Sequence, residues 1–130
     1  MSEQENTRVV REMYAAFGRG DPSVFLGALA DDVEWSCYGP PRDPLYLPRR
    51  GREQVQQFFG LLGEAVEIQR FEPQEYIAQG DDVVVLGYES GLVKPSQRPY
   101  EQYWACVFTF GGEKVTRFRG YWDSASMASA

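Results

Sequence analysis

The chain predicts an α+β fold in which helices come first and a meander of antiparallel strands comes last. Val10, Met13, Tyr14 and Phe17 recur at helical spacing, as do Val55, Phe58, Phe59 and Leu62 further along. Beyond Ala65 the pattern changes to strand-like runs over Val66–Gln79, Val83–Leu92, Tyr100–Phe110 and Glu113–Trp122. Gly80-Asp81, the Lys94–Pro99 segment and Gly111-Gly112 separate these runs with turn chemistry suited to hairpins. Helices followed by an uninterrupted series of strands define α+β, not the alternation of an α/β protein.

The spacing predicts a first helix opening at Asn6 or Thr7 and stopping at Gly18 and Gly20. Asp21-Pro22 supplies an N-cap and a proline at the first helical position, starting a short helix that ends near Leu29. Ala30-Asp31-Asp32 reads as a turn. Val33, Trp35 and Cys37 then alternate with Glu34 and Ser36 as a first strand. From Tyr38 to Gly51, four prolines (Pro40, Pro41, Pro44 and Pro48) exclude regular structure and make a long loop, either a lid or rim over a site or a plain connector. The third helix carries Gly63 near its end, and Pro73 marks a bulge or an edge because proline cannot donate to a ladder.

In the last run, Arg117, Arg119, Tyr121 and Asp123 share one strand face, opposite Phe118 and Trp122. A curved sheet wrapped over helices leaves a cone, and Trp35 and Trp104 are expected to line it, with Phe59 and Phe108 lining or filling its interior.

Composition narrows the function classes. The 130 residues suit a single domain, and 43% hydrophobic with 15% aromatic residues suit a filled interior with an aromatic-lined cavity. A net charge of −6 opposes binding to phosphate backbones or anionic lipid, so neither nucleic acid nor a membrane surface is an expected partner. Cys37 and Cys106 lie outside any zinc-ligand spacing and are expected as reduced thiols, with no metal and no cofactor implied. No apolar run is long enough to span a bilayer and the polar opening lacks a signal-peptide profile, so a cytoplasmic location is expected.

The chain contains 0 histidines, which leaves acid/base work near neutral pH to a perturbed carboxylate, a tyrosine or a cysteine. Asp123 is the leading candidate; the alternative is an N-cap for the Asp-Ser-Ala-Ser tail. Tyr14 and Tyr121 are candidate donors to an enolate oxygen, or core residues with satisfied hydroxyls. Arg49-Arg50-Gly51-Arg52 is a solvated helix start or a gate for an anionic group.

Five segments carry a family resemblance: Tyr14-Ala-Ala-Phe-Gly-Arg-Gly-Asp21, Leu29-Ala-Asp-Asp-Val-Glu-Trp35, Gly51-Arg-Glu-Gln-Val-Gln-Gln-Phe-Phe59, Gly80-Asp-Asp-Val-Val-Val-Leu-Gly87, and Phe108 through Asp123. In their order and spacing the chain resembles the nuclear transport factor 2-like superfamily, and within it the SnoaL-like polyketide cyclases and ketosteroid isomerase-related proteins. The resemblance implies one SnoaL-like domain over residues 1–130, a cone-shaped α+β barrel with a deep pocket, and a homodimer paired through the outer sheet face. It also implies a small apolar or aromatic ligand. The stretch ending Arg119-x-Tyr121-x-Asp123 is similar to the strand holding one catalytic aspartate of limonene epoxide hydrolase. That enzyme's other polar positions fall at Trp35, Cys37, Tyr88 and Ser90. The base and protonated-acid positions of ketosteroid isomerase fall at Cys37 and Cys106, with Tyr14 at or beside its tyrosine. The implied site is therefore Asp123 and Tyr14 as catalytic groups, with Phe17, Trp35, Cys37, Phe59, Tyr88, Ser90, Trp104, Cys106, Arg119 and Tyr121 around the ligand. The implied chemistry is cofactor-free isomerisation, cyclisation or dehydration of a polyketide- or terpenoid-like carbonyl compound. A noncatalytic ligand-binding or dimeric interaction module is the alternative.

Overall fold

A computed structural model describes residues 1–129. The chain runs α1 (Glu3–Gly18), α2 (Pro22–Gly27), β1 (Leu29–Tyr38), β2 (Arg49–Arg50), α3 (Arg52–Ala65), β3 (Val66–Gln79), β4 (Asp82–Val93), β5 (Arg98–Gly111), β6 (Lys114–Trp122) and α4 (Ser124–Ser129). This is the α+β arrangement that the sequence predicts, and the four long strands lie within two residues of their expected bounds.

The helix ends follow local capping chemistry. α1 begins earlier than its apolar pattern suggests, because Ser2 and Glu5 form a reciprocal capping box. The Ser2 hydroxyl accepts the Glu5 N–H at 3.1 Å and the Glu5 carboxylate accepts the Ser2 N–H at 3.2 Å. Gly20, at φ +75°, lets the chain turn back after α1. Asp21 caps α2 as expected, its Oδ1 accepting the Ser23 N–H at 3.0 Å, with Pro22 as the first helical residue.

Two further expectations are corrected. Ala30-Asp31-Asp32 is strand, not turn: β1 pairs Leu29 with Val115 and shifts register before Glu34, and this irregularity carries the polar run. The proline-rich loop holds a short 3₁₀ turn over Pro44–Tyr46, where the Asp43 carboxylate accepts the Leu45 N–H at 3.0 Å. The same loop supplies β2, which pairs with Glu34 and Trp35. α3 carries Gly63 near its end, as expected, and stops at Ala65.

The six strands form one curved, unclosed sheet in the order β2-β1-β6-β5-β4-β3. β1 and β6 are parallel and the other pairs antiparallel. Register shifts occur at Pro73/Glu75, where the sequence predicts a bulge, and at Thr109/Phe110; such shifts bend and twist a strand pair. On the concave face β4 presents Val83, Val85, Gly87 and Glu89, and β5 presents Tyr100, Gln102, Trp104, Cys106 and Phe108. Val10, Met13 and Tyr14 of α1, Phe25 of α2, and Val55 and Phe58 of α3 cover this face. Fully burying each large apolar side chain contributes about 1.5–3 kcal/mol, so the core is concentrated beneath the helices. Among the described residues no helix is long and apolar enough to cross a membrane.

Candidate functional site: an aromatic chamber with one buried carboxyl

Between the concave face and the helices lies a chamber of about 70 Å³. Its walls are mainly aromatic, from Tyr14, Phe17, Trp35, Phe59, Phe71 and Trp104, while Glu89 and Gln102 bring a carboxyl and a carboxamide. A vestibule of about 480 Å³ adjoins it and shares Phe17, Phe25, Phe59, Leu62 and Ile68 with its wall. The chamber is thus several-fold smaller than the vestibule.

Glu89 sits on β4 directly opposite Gln102 on β5, so both side chains project into the concave side. The Tyr100 hydroxyl donates to Glu89 Oε2 at 2.7 Å. Burial pushes the Glu89 carboxyl above its usual range, partly offset by the hydrogen bonds from Tyr100 and Gln102, which favour the charged form. Tyr100 is itself pushed up, by burial first and then by the facing Glu89. Gln102 donates from Nε2 to Met127 Sδ at 3.5 Å, which brings α4 against this end of the chamber, while its Oε1 is buried without a partner. Among the described residues, no lysine or arginine belongs to the lining.

The aromatic wall is held by packing. Trp104 lies over Gly87, its cross-strand neighbour, so closely that a methyl group there would stand 2.2 Å from the indole. Phe71 stacks on Trp104 at 5.0 Å with the rings 14° apart. Tyr14 packs against both, its ring centroid 5.6 Å from that of Phe71 and 5.5 Å from that of Trp104, with Cys106 beside it. Burial raises the Tyr14 phenol well above its ordinary value and pushes the Cys106 thiol up to about 12. The Cys37 thiol is raised as well, chiefly by burial. Neither free cysteine is thus prepared to act as a thiolate.

Of the residues singled out in the sequence, Tyr14, Phe17, Trp35, Phe59, Trp104 and Cys106 converge on the chamber. Cys37 is buried in the core beside Gly120 and is not part of this wall. Five others lie elsewhere, and strand alternation is the reason. Phe118 and Gly120 take the buried side of β6, which turns Arg119, Tyr121 and the Asp123 end of the strand away from the chamber. Asp123 is exposed and caps α4, its Oδ1 accepting the Ser126 N–H at 3.1 Å, as the alternative reading of this residue had it. Tyr121 stacks on Tyr38 outside, at 4.9 Å and 18°. On β4 the same alternation sends Tyr88 and Ser90 outward, and the Tyr88 hydroxyl donates to Glu101 at 2.6 Å.

The arginine cluster pairs within the fold: Arg50 with Glu34 at 2.8 Å, and Arg52 with Asp31 at 3.3 Å while donating twice to the Leu29 carbonyl. Sequence reasoning missed Glu89 and Gln102. Glu89 shares strand parity with Val83 and Val85, and a lone acid in phase with buried valines was the available signal.

Comparison with known proteins agrees with this geometry. Residues 10–118 match the SnoaL-like domain, and the chain belongs to that family. It is similar in structure to an NTF2-like protein from Burkholderia xenovorans, with 38% identity and a TM-score of 0.87, over 100% of this chain and 98% of that one. An NTF2-like protein of unknown function from Burkholderia pseudomallei is 30% identical at a TM-score of 0.87, covering 99% and 97%. TerC, co-crystallised with polyporic acid, shares the fold at 23% identity and a TM-score of 0.86, covering 96% of each chain. No curated protein sequence matches the chain.

Proposed function

We propose that the protein is a cofactor-free proton-transfer enzyme of the isomerase, cyclase or dehydratase type. It acts on a small, mostly apolar carbonyl compound of polyketide or terpenoid character. The observation that carries this reading is Glu89, a buried carboxyl with a raised pKa among the residues of an aromatic chamber. A carboxyl with a raised pKa is a stronger base when charged and is more readily protonated. As a carboxylate, Glu89 takes a proton from the carbon beside a substrate carbonyl; as an acid it returns that proton to another carbon or to a leaving oxygen. Charge developing on the carbonyl oxygen is met by the indole N–H of Trp104, which lacks a partner in the protein. Tyr14 shapes the opposite wall. The acid/base role expected for Asp123 passes to Glu89 in this reading, because Asp123 is exposed and engaged as a helix cap.

The test uses benzylacetone, an enolisable aryl ketone, and follows exchange of its α-hydrogens in deuterated buffer by NMR. The wild-type protein accelerates exchange. Glu89→Gln loses the acceleration, by roughly 10²–10⁴-fold if Glu89 is the base, and Asp123→Asn keeps it. No acceleration by wild type, or loss in Asp123→Asn with retention in Glu89→Gln, contradicts the proposal.

Ligand binding without turnover is the second reading, favoured by the small volume left between the aromatic rings. Pairing into a homodimer through the convex sheet face is proposed with either reading. It is supported by exposed aromatics there, with Tyr103 72% exposed and 5.3 Å from Tyr88. Tyr103→Lys is expected to shift the molar mass measured by light scattering to that of a monomer; an unchanged mass contradicts it.

A further inference from the structure

We infer that the chamber takes the neutral hydroxy-carbonyl head of an amphiphile, with its carbonyl oxygen on the Trp104 N–H and its hydroxyl on the Gln102 side-chain oxygen. The apolar body of the ligand then lies in the vestibule. This rests on the reading of the site as a small-molecule pocket and adds the class of ligand.

The selection comes from polar atoms that the protein leaves unsatisfied. Among the described residues, the buried side-chain atoms without a hydrogen-bond partner include Trp35 Nε1, Gln102 Oε1 and Trp104 Nε1, all on residues that line the chamber. The orphan donors are thus Trp35 Nε1 and Trp104 Nε1, and the orphan acceptor is Gln102 Oε1; of the two donors, Trp104 shares a strand face with Gln102. Gln102 and Trp104 are only 5% exposed each, so bulk water does not satisfy them. Burying a polar group without a partner is costly, and a ligand that brings the missing donor and acceptor recovers that cost.

Gln102 and Trp104 are two residues apart on the same face of β5, about 6.6 Å along the strand. A compact head carrying a carbonyl and a hydroxyl on neighbouring or alternate carbons reaches both. Glu89, opposite Gln102, then stands beside the carbons between the two oxygens.

Charge and size complete the selection. With no lysine or arginine among the described lining residues, a carboxylate head would be desolvated next to Glu89 without a counter-charge. An ammonium head would find Glu89 but would leave the Trp104 N–H facing a cation. The chamber is small, whereas the vestibule, lined by Phe17, Pro22, Phe25, Phe59, Leu62 and Val66 among others, offers apolar room for a chain or ring.

The experiment compares four probes on the full chain by calorimetric or NMR titration: benzylacetone, the same ketone with a hydroxyl on its methyl group, phenylbutylamine and phenylbutyrate. The hydroxyketone is expected to bind about tenfold more tightly than benzylacetone, the value of one well-made hydrogen bond. Gln102→Leu is expected to bring that ratio to about one, and Trp104→Phe to weaken both ketones. The wild-type ratio requires no variant, so it stands even if a variant misfolds. Equal affinities for the two ketones, tightest binding by the amine or the carboxylate, or no saturable binding of any probe overturns the inference. Glu89→Gln separates this from the proposed catalysis: it abolishes exchange while leaving the preference for the hydroxyketone intact.

Discussion

The phenol of Tyr100 donates a hydrogen bond to Glu89 Oε2 at 2.7 Å, on the concave side of two adjacent strands. The bond holds the carboxyl in place but does not cancel the cost of burying its charge, since burial outweighs the two hydrogen bonds that favour ionisation. Because the folded-state pKa of Glu89 is raised, its contribution to stability is full below the unfolded value, about pH 4.3, and is lost as pH rises through the folded value. Glu89→Gln is therefore expected to be no better than wild type in urea unfolding at pH 4. Relative to wild type it should gain stability as pH rises above that value. A stability difference that does not change with pH contradicts the burial of an ionisable group here.

Tyr100→Phe tests the same pair from the other side. The bond from Tyr100 favours the charged form of Glu89, so its removal is expected to move the pH profile of α-hydrogen exchange to higher pH. A profile that moves to lower pH, or stays where it is, removes Tyr100 from the site.

Gly87 is required by the approach of Trp104 across the sheet. Gly87→Ala is expected to displace the indole from its place between β4 and Phe71, at a cost of about 1–3 kcal/mol for overpacking, with a changed near-ultraviolet circular dichroism signal. An unchanged spectrum and melting temperature would show that the indole has room that the structure does not give it.

Both cysteines are expected to resist alkylation in the native state. Burial disfavours the thiolate of each, Cys106 to about 12. Iodoacetamide at pH 8 is expected to modify the unfolded chain rapidly and the native chain at the rate of opening. Fast modification of the folded protein contradicts this account of the chamber wall.

Asp123 is expected to matter for α4 and not for proton transfer. Asp123→Ala removes the acceptor of the Ser126 N–H, a loss typical of about 0.5–2 kcal/mol at an N-cap, so amide exchange at Ser126 should quicken. Asp123→Asn retains a capping oxygen and is expected to leave both Ser126 protection and ketone exchange near wild type.

Much of the fold was legible because its signals are local. The valine-rich alternation of β4, the Asp21-Pro22 start of α2 and the bulge at Pro73 each follow from one or two residues. The start of α1 was hidden because Ser2 and Glu5 cap it with polar side chains, outside any apolar period. The extended path of Ala30-Asp31-Asp32 depends on pairing with β6, a contact distant in sequence. The site was legible in its aromatic half, since Tyr14, Phe17 and Trp35 lie on elements whose inward face is set by their own apolar neighbours. Its polar half was not. Placing Asp123 needed the parity of β6, and finding Glu89 needed the register that sets it against Gln102 and Tyr100 over the cavity.

The proposed function rests on Glu89 being a buried acid with a raised pKa. The most direct measurement is an NMR titration of the glutamate side-chain carboxyl carbons, assigned by comparison with Glu89→Gln. One resonance, belonging to Glu89, is expected with a midpoint above those of the exposed glutamates, moved higher still in Tyr100→Phe. A Glu89 carboxyl that titrates together with the exposed glutamates would contradict it.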